Sequence, residues 1–204
     1  MSARNSCQIC LLTNNIYIYI YILFEDLNVK WNYVICKSEK RIGDNFPKAF
    51  EIPLEIDMLV QTKDVQPCAD YIETELRQWF KKGYTTIRRS DAKDRVGVIL
   101  YFCYKEILYF DIQTARQFSL SDEFNVKCIE NRELSNNKSY YQCQPKYDLL
   151  IRATEYVKNE QKIWHKDYIR EHVRDFDKEV YDYSFENSQD GMAKDVISLI
   201  DELK

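Results

Sequence analysis

Two cysteines near the start of the chain, Cys7 and Cys10, have the CxxC spacing of half a zinc site. Tetrahedral zinc needs four ligands, and the sequence contains no second CxxC and no HxxxH pair. The same spacing occurs in thiol redox sites, where it lies between a strand and the start of a helix rather than at a chain end. The pair is therefore interpreted as two ordinary cysteines without an assigned role.

The two histidines, His165 and His172, are separated by seven positions on a predicted helix. That spacing corresponds to about 10.5 Å along a helix axis, which is too far for both rings to bind one metal ion. The four glycines are isolated from one another, so the sequence has no glycine-rich phosphate loop. It also places no histidine beside a serine or cysteine in the manner of a catalytic triad.

Residues 77–95 carry seven basic side chains against two acidic ones, although the whole chain has a net charge of −4. A basic segment of this kind is a candidate contact for phosphate groups of DNA or RNA. The alternative interpretation is a solvated helix end followed by a loop. The candidate nucleic-acid contacts are Lys81, Lys82, Arg88, Arg89, Lys93 and Arg95.

The composition is that of a globular protein, with 45% apolar and 30% charged residues in a chain of 204. Seven cysteines without a preceding signal sequence favour free thiols in a reducing compartment, the cytoplasm or the nucleus. No apolar window approaches the roughly 20 residues that a membrane helix needs, so we expect an intracellular protein without a membrane span.

The pattern of apolar residues predicts the elements that must position these side chains. Residues 16–24 alternate isoleucine and tyrosine, which predicts a strand paired as a hairpin with a second strand at 31–36. Residues 54–62 alternate cleanly and predict a third strand. An amphipathic helix follows from Pro67, and residues 96–104 and 107–112 predict a further hairpin that turns at Lys105 and Glu106.

The second half of the chain is predicted to be largely helical. Helices are expected at residues 147–158, 161–174 and 192–203, with 175–190 partly extended. The fold class is therefore α+β, with a small antiparallel or mixed sheet of about five strands, one main packed helix and a helical C-terminal region. The predicted divisions are a flexible N-terminus at 1–14, an α+β domain at 15–115, connecting strands and a loop at 116–146, and the helical region at 147–204.

The order of three motifs resembles the GIY-YIG nuclease superfamily over the first half of the chain. These motifs are "NIYIYIYIL", then "NYVICKSEKRI", then a helix that carries "YIETEL". Asn15 and Ile35 replace the two glycines that give the family its name. The resemblance implies a tyrosine-assisted hydrolysis of nucleic acid that uses one divalent metal, Mg²⁺ or Mn²⁺.

The resemblance also implies roles for particular residues of this chain. Tyr17 and Tyr33 would be the two motif tyrosines, Arg41 the catalytic arginine, and Glu73 the metal ligand. The register of the Ile-Tyr repeat leaves Tyr19 or Tyr21 as substitutes for Tyr17, and Glu75 as a substitute for Glu73.

A second interpretation assigns the chain no catalysis. The C-terminal half is acidic, helical and rich in tyrosine, and its apolar stripes at 164–173 or 192–203 could bind a protein partner. This interpretation predicts a contiguous exposed apolar patch on the C-terminal helices.

Overall fold

The structure is a computed structural model that describes residues 3–37, 54–135, 139–186 and 191–204. Side chains are described for all of these except residues 3–15 and Tyr17. The helices are α1 (Ala3–Lys30), α2 (Val65–Trp79), α3 (Asp122–Glu130), α4 (Pro145–Lys158), α5 (Ile163–His172), α6 (Lys178–Ser184) and α7 (Gly191–Leu203). The strands are β1 (Tyr33–Cys36), β2 (Leu54–Val60), β3 (Tyr84–Ala92), β4 (Arg95–Phe102), β5 (Lys105–Gln113), β6 (Glu133–Leu134) and β7 (Tyr141–Gln142).

The chain divides into two units. The first comprises Met1–Gln113 with Leu134–Gln142, and the second comprises Thr114–Glu133 with Cys143–Lys204. The predicted α+β class is confirmed, although the sheet contains seven described strands rather than about five. Among the described helices, none has both the length and the apolarity needed to cross a bilayer.

The sheet is mixed, in the spatial order β3-β4-β5-β2-β1-β7-β6. Strands β3, β4 and β5 form an antiparallel meander, and β5 then pairs in parallel with β2. On the other side of β2, β1 is antiparallel. The predicted strands at 31–36 and 54–62 are therefore confirmed as β1 and β2, and they are central in the sheet.

The prediction of a strand at residues 16–24 is wrong, because this segment lies inside α1 and makes no hairpin with β1. The buried side chains of α1 follow the spacing of one helix face, which leaves Ile18 and Ile22 exposed. Every residue from Ile16 to Leu23 is apolar or aromatic, so the segment fits a period of 3.6 as well as a period of 2. The buried residues of this face are Ile16, Ile20, Leu23, Phe24 and Leu27.

The end of the basic segment, which was predicted to be a loop, is largely a strand. Within residues 77–95, Tyr84–Ala92 form β3, which pairs with β4 and contains a register shift between Arg89 and Ala92. The next hairpin, between β4 and β5, turns at Cys103 and Tyr104 rather than at Lys105 and Glu106. These two residues have positive φ angles of 48° and 66°, the backbone geometry of a type I′ turn.

One face of the sheet packs against α1 and α2. Strand residues at alternate positions point into this core, including Ile56 and Met58 of β2 and Phe110 and Ile112 of β5. The predicted amphipathic helix is confirmed as α2, whose buried residues are Val65, Cys68, Ala69, Ile72 and Leu76. The alternation places the remaining residues of β2 and β5 on the opposite face of the sheet.

In the second unit, α4, α5 and α7 confirm the three predicted helices. Residues 175–190 were expected to be partly extended. Of these, Lys178–Ser184 form α6, which Asp177 caps by accepting hydrogen bonds from two backbone N–H groups, while Asp177 and Phe185 on either side are extended and 187–190 lie outside the described residues. Within the predicted stripe at 164–173, Tyr168 and Ile169 are buried. Ile163 and Trp164, at the start of that helix, are exposed.

Gly97 of β4 is required by the ring that crosses it. A Cβ atom at this position would lie 2.8 Å from Cε2 of Tyr109 and 3.1 Å from the carbonyl oxygen of Arg89. We therefore expect Gly97→Ala to lower the free energy of unfolding by about 1–3 kcal/mol, as overpacking typically does. Urea denaturation would measure the change, with Gly191→Ala as the control, since nothing lies within 4 Å of a Cβ there. Equal effects of the two substitutions would contradict the close packing at Gly97.

Candidate metal centre

Three carboxylates lie together on the face of the sheet opposite the α1–α2 core. Glu55 and Asp57 are two positions apart on β2, so their side chains share one face. Asp111 belongs to β5, the parallel neighbour of β2, and is the register partner of Asp57. One carboxylate oxygen from each of the three residues lies within 4.8 Å of the others. We call this set the carboxylate cluster.

The cluster is enclosed rather than solvated. Asp57 and Asp111 are buried and Glu55 is half-buried. Carboxylates are rarely buried unless they are paired or bind a metal ion. A hard divalent cation such as Mg²⁺ or Mn²⁺ prefers oxygen ligands of this kind, so the donor set fits such an ion.

Two basic side chains contact the cluster. Lys37, directly after β1, lies with its Nζ 2.9 Å from Oδ1 of Asp57. Arg95 of β4 donates two hydrogen bonds to Asp111, from Nε to Oδ1 at 2.9 Å and from Nη2 to Oδ2 at 2.8 Å. With all five groups ionised, the carboxylates exceed the cations by one negative charge. Each carboxylate oxygen also has more than one lone pair, so these hydrogen bonds leave acceptor capacity for a cation.

Burial dominates the electrostatics of Asp57. It raises the pKa of this carboxyl to about 6, although the charge of Lys37 acts in the opposite direction. The neighbouring Glu55 and Asp111 add to the increase because two like charges at short range disfavour ionisation. The Nε2 amide of Gln113 also donates a hydrogen bond of 3.3 Å to Oδ1 of Asp57. A metal ion would favour the ionised form and would therefore release a proton on binding.

The raised pKa of Asp57 predicts a pH-dependent stability of the metal-free protein. Between the ordinary value of 3.8 and about 6, the folded chain holds a proton that the unfolded chain has lost. This contribution to the free energy of unfolding is complete below pH 3.8 and decreases as the pH rises through about 6. Asp57→Asn removes it, so the stability of the variant relative to the wild type should increase from pH 4 to pH 7, by on the order of 2–3 kcal/mol.

Urea denaturation in EDTA at several pH values measures this difference. Asp122→Asn is the matched control, because the hydrogen bond from Arg116 lowers the pKa of Asp122. The stability of this variant relative to the wild type should therefore decrease as the pH rises. A difference between the Asp57 variant and the wild type that stays constant with pH would contradict the assignment of the titration to Asp57.

An exposed arginine lies in the same row of the sheet as the cluster. The cross-strand partners run from Arg89 of β3 to Gly97 of β4, and from there to Asp111 and Asp57. Because Gly97 has no side chain, the ring of Tyr109 fits over it, and the guanidinium of Arg89 lies 6.0 Å from the centre of that ring. Arg89 therefore lies two strands from Asp111 in the same row of the sheet.

Of the four residues implied by the GIY-YIG resemblance, the structure describes the side chains of Tyr33 and Glu73. Tyr33 is buried, and its hydroxyl donates a hydrogen bond of 2.6 Å to Asn28. Tyr17 lies on α1 but its side chain is outside the described residues, and so is the whole of Arg41. Glu73 accepts hydrogen bonds from Arg77 and Arg88. Partial burial raises the pKa of Glu73, but these two arginines lower it overall.

The six predicted nucleic-acid contacts separate into two groups. Arg88 faces α2, where it pairs with Glu73 at 2.6 Å and also with Asp70, while Arg95 belongs to the carboxylate cluster. The other four are exposed, around the turn before β3, on β3 itself and at the turn that follows it. They are Lys81, Lys82, Arg89 and Lys93.

Sequence reasoning identified the strands of the cluster but not the cluster itself. A signal was present, since carboxylates interrupt both apolar strands: Glu55 and Asp57 at alternate positions in "LEIDMLV", and Asp111 in "LYFDIQ". What the sequence does not contain is the pairing of β2 with β5, which alone brings Asp57 and Asp111 together.

Comparisons with known proteins found no relative of this chain. No protein-family model, no curated protein and no solved structure matches the chain.

Proposed function

We propose that the chain catalyses the transfer of a phosphoryl or nucleotidyl group, with a nucleoside triphosphate as the substrate and Mg²⁺ or Mn²⁺ as the cofactor. The observation that carries the proposal is the convergence of Glu55, Asp57 and Asp111 within 4.8 Å of one another. Carboxylates in this arrangement are the usual protein ligands of a divalent ion that also binds substrate phosphates.

Each residue of the site has a distinct role in this proposal. Glu55, Asp57 and Asp111 would hold the divalent ion, which would supply positive charge beside the transferred group. Arg95 fixes the orientation of Asp111 through its two hydrogen bonds. Arg89 is exposed in the same row and binds a terminal phosphate of the substrate.

The charge distribution favours a small phosphorylated substrate over a long nucleic acid. Affinity for a polyanion grows with the number of phosphates that basic side chains neutralise. Within the basic segment, Arg88 and Arg95 are engaged by carboxylates of the protein, and the chain as a whole carries a net charge of −4. A triphosphate needs only the metal and one or two cations.

The first experiment measures Mn²⁺ binding by the full chain and then turnover of each common ribonucleoside triphosphate with Mg²⁺ or Mn²⁺. We expect metal binding in the micromolar to millimolar range and EDTA-sensitive consumption of at least one triphosphate. Release of pyrophosphate identifies nucleotidyl transfer, and release of orthophosphate identifies phosphoryl transfer. Absence of Mn²⁺ binding at millimolar concentration would overturn the proposal.

Nucleic-acid cleavage is the second candidate, because the same cluster could direct water at a phosphodiester. The exposed Lys81, Lys82, Arg89 and Lys93 support it as contacts on or beside the edge strand β3. Metal-dependent nicking of supercoiled plasmid, without consumption of free triphosphates, would favour this reaction.

The interaction with a protein partner has the weaker support of two adjacent exposed side chains, Ile163 and Trp164.

A further inference from the structure

Two cysteines of the second unit lie close enough to react with each other. The Sγ atoms of Cys128 and Cys143 are 3.3 Å apart, and both side chains are buried. Cys128 lies near the end of α3, and Cys143 lies two residues before the start of α4.

The packing around the pair fixes the two backbones beside each other. One helical turn before Cys128 is Phe124, and four positions after Cys143 is Tyr147, whose rings meet edge to face with centroids 5.5 Å apart. Asn131, three positions after Cys128, donates a hydrogen bond of 3.1 Å to the hydroxyl of Tyr147. These contacts before and after Cys128 keep the two cysteines beside each other. The sulfur atoms need to approach by only a little more than 1 Å to reach the S–S bonding distance.

A metal site does not explain the pair. Zinc bound by two thiolates needs two more ligands. The described residues place no third histidine, cysteine or carboxylate with these sulfurs, since their one group of three such ligands is the carboxylate cluster.

We propose that Cys128 and Cys143 form a reversible intramolecular disulfide when the protein meets hydrogen peroxide, independently of the proposed transferase activity. One cysteine, as its thiolate, attacks a peroxide oxygen, which yields a sulfenic acid and releases hydroxide that takes up the thiol proton as water. The second thiol then attacks the sulfenic sulfur, forms the S–S bond and releases a second water molecule. Two thiols are thus oxidised by two electrons, and one peroxide is reduced to two waters.

Peroxide is the appropriate oxidant because both thiols are buried. A molecule of its size can reach them through small local openings, whereas a disulfide such as oxidised glutathione would require the helices to separate. The bond would close a loop between residues 15 positions apart and would join α3 to the start of α4. It would therefore restrict the unfolded chain and raise the melting temperature by several degrees, roughly 3–8 °C.

The test treats the folded wild-type chain with a few equivalents of peroxide, blocks remaining thiols with an alkylating agent and maps the peptides by mass spectrometry. We expect a cross-linked peptide containing Cys128 and Cys143 in more than about half of the molecules, absent after treatment with a dithiol. Oxidised protein should also melt at a higher temperature than reduced protein.

Two variants complete the design. Cys143→Ser should abolish both the cross-link and the increase in melting temperature, whereas Cys103→Ser, which removes an exposed cysteine, should change neither. The proposal is overturned if folded wild-type protein gives no such peptide, or gives it only after unfolding in urea. Cross-linking of other cysteines in place of this pair would overturn it equally, and neither result depends on whether the variants fold.

Discussion

Asp57→Asn and Asp111→Asn are each expected to reduce metal-dependent turnover of a nucleoside triphosphate by about 10²–10³-fold or more. Either change removes one of the three carboxylates that lie within 4.8 Å of one another. It also removes the excess negative charge of the site, because Lys37 and Arg95 then balance the two carboxylates that are left. Loss of one charged group that stabilises the transition state typically costs this much in rate.

Initial rates with Mg²⁺ and Mn²⁺ would measure the loss, and the dissociation constant of Mn²⁺ should rise in parallel. Glu106→Gln is the matched control, since Glu106 also belongs to β5 but lies near its other end. Glu73→Gln separates this site from the one that the GIY-YIG resemblance implies. Full activity of the two cluster variants, together with loss of activity in Glu73→Gln, would move the metal site to α2.

Ile20→Ala should destabilise the protein by about 2–4 kcal/mol, whereas Ile22→Ala should cost less than about 1 kcal/mol. The reason is that α1 buries one side chain and exposes the other, with 2% of Ile20 and 42% of Ile22 accessible to solvent. A strand would place both isoleucines on the same face, two positions apart, and the two substitutions would then have similar effects.

Urea denaturation monitored by circular dichroism provides the comparison. A second pair, Ile16→Ala and Ile18→Ala, repeats it one turn earlier, because Ile16 is 4% and Ile18 56% exposed. Equal losses of stability within both pairs would contradict the helical assignment of the Ile-Tyr repeat.

The sequence predicted elements well where one period of hydrophobicity was clearly dominant. Strand β2 alternates apolar and polar positions, and α2 has an apolar stripe at helical spacing, so both were identified. The Ile-Tyr repeat was predicted incorrectly because its residues are apolar or aromatic at every position, so no polar face reveals the period. The high strand propensity of isoleucine and tyrosine then favoured a strand. Tertiary packing against α2, with Tyr19 stacked on Trp79, selects the helix instead.

The candidate site could not be predicted in the same way, because it depends on pairing over a long distance in sequence. Nothing in residues 54–60 indicates which strand will lie beside them. The basic segment shows the same limit, since its sequence gives the charge of Arg88 but not the position of Asp70 and Glu73, which neutralise it. Local patterns therefore identified the strands and helices, whereas the order and register of the strands determine which side chains meet at the candidate site.

The parallel pairing of β2 with β5 has a consequence for the order of events during folding. Glu55 and Asp57 are separated from Asp111 by α2, β3 and β4, so the cluster exists only after this entire crossover has closed. Contacts that join distant segments form late and slowly compared with those within a helix or hairpin. A divalent ion would consequently bind the completed fold and not its precursors, and by mass action it would draw the folding equilibrium towards the finished protein.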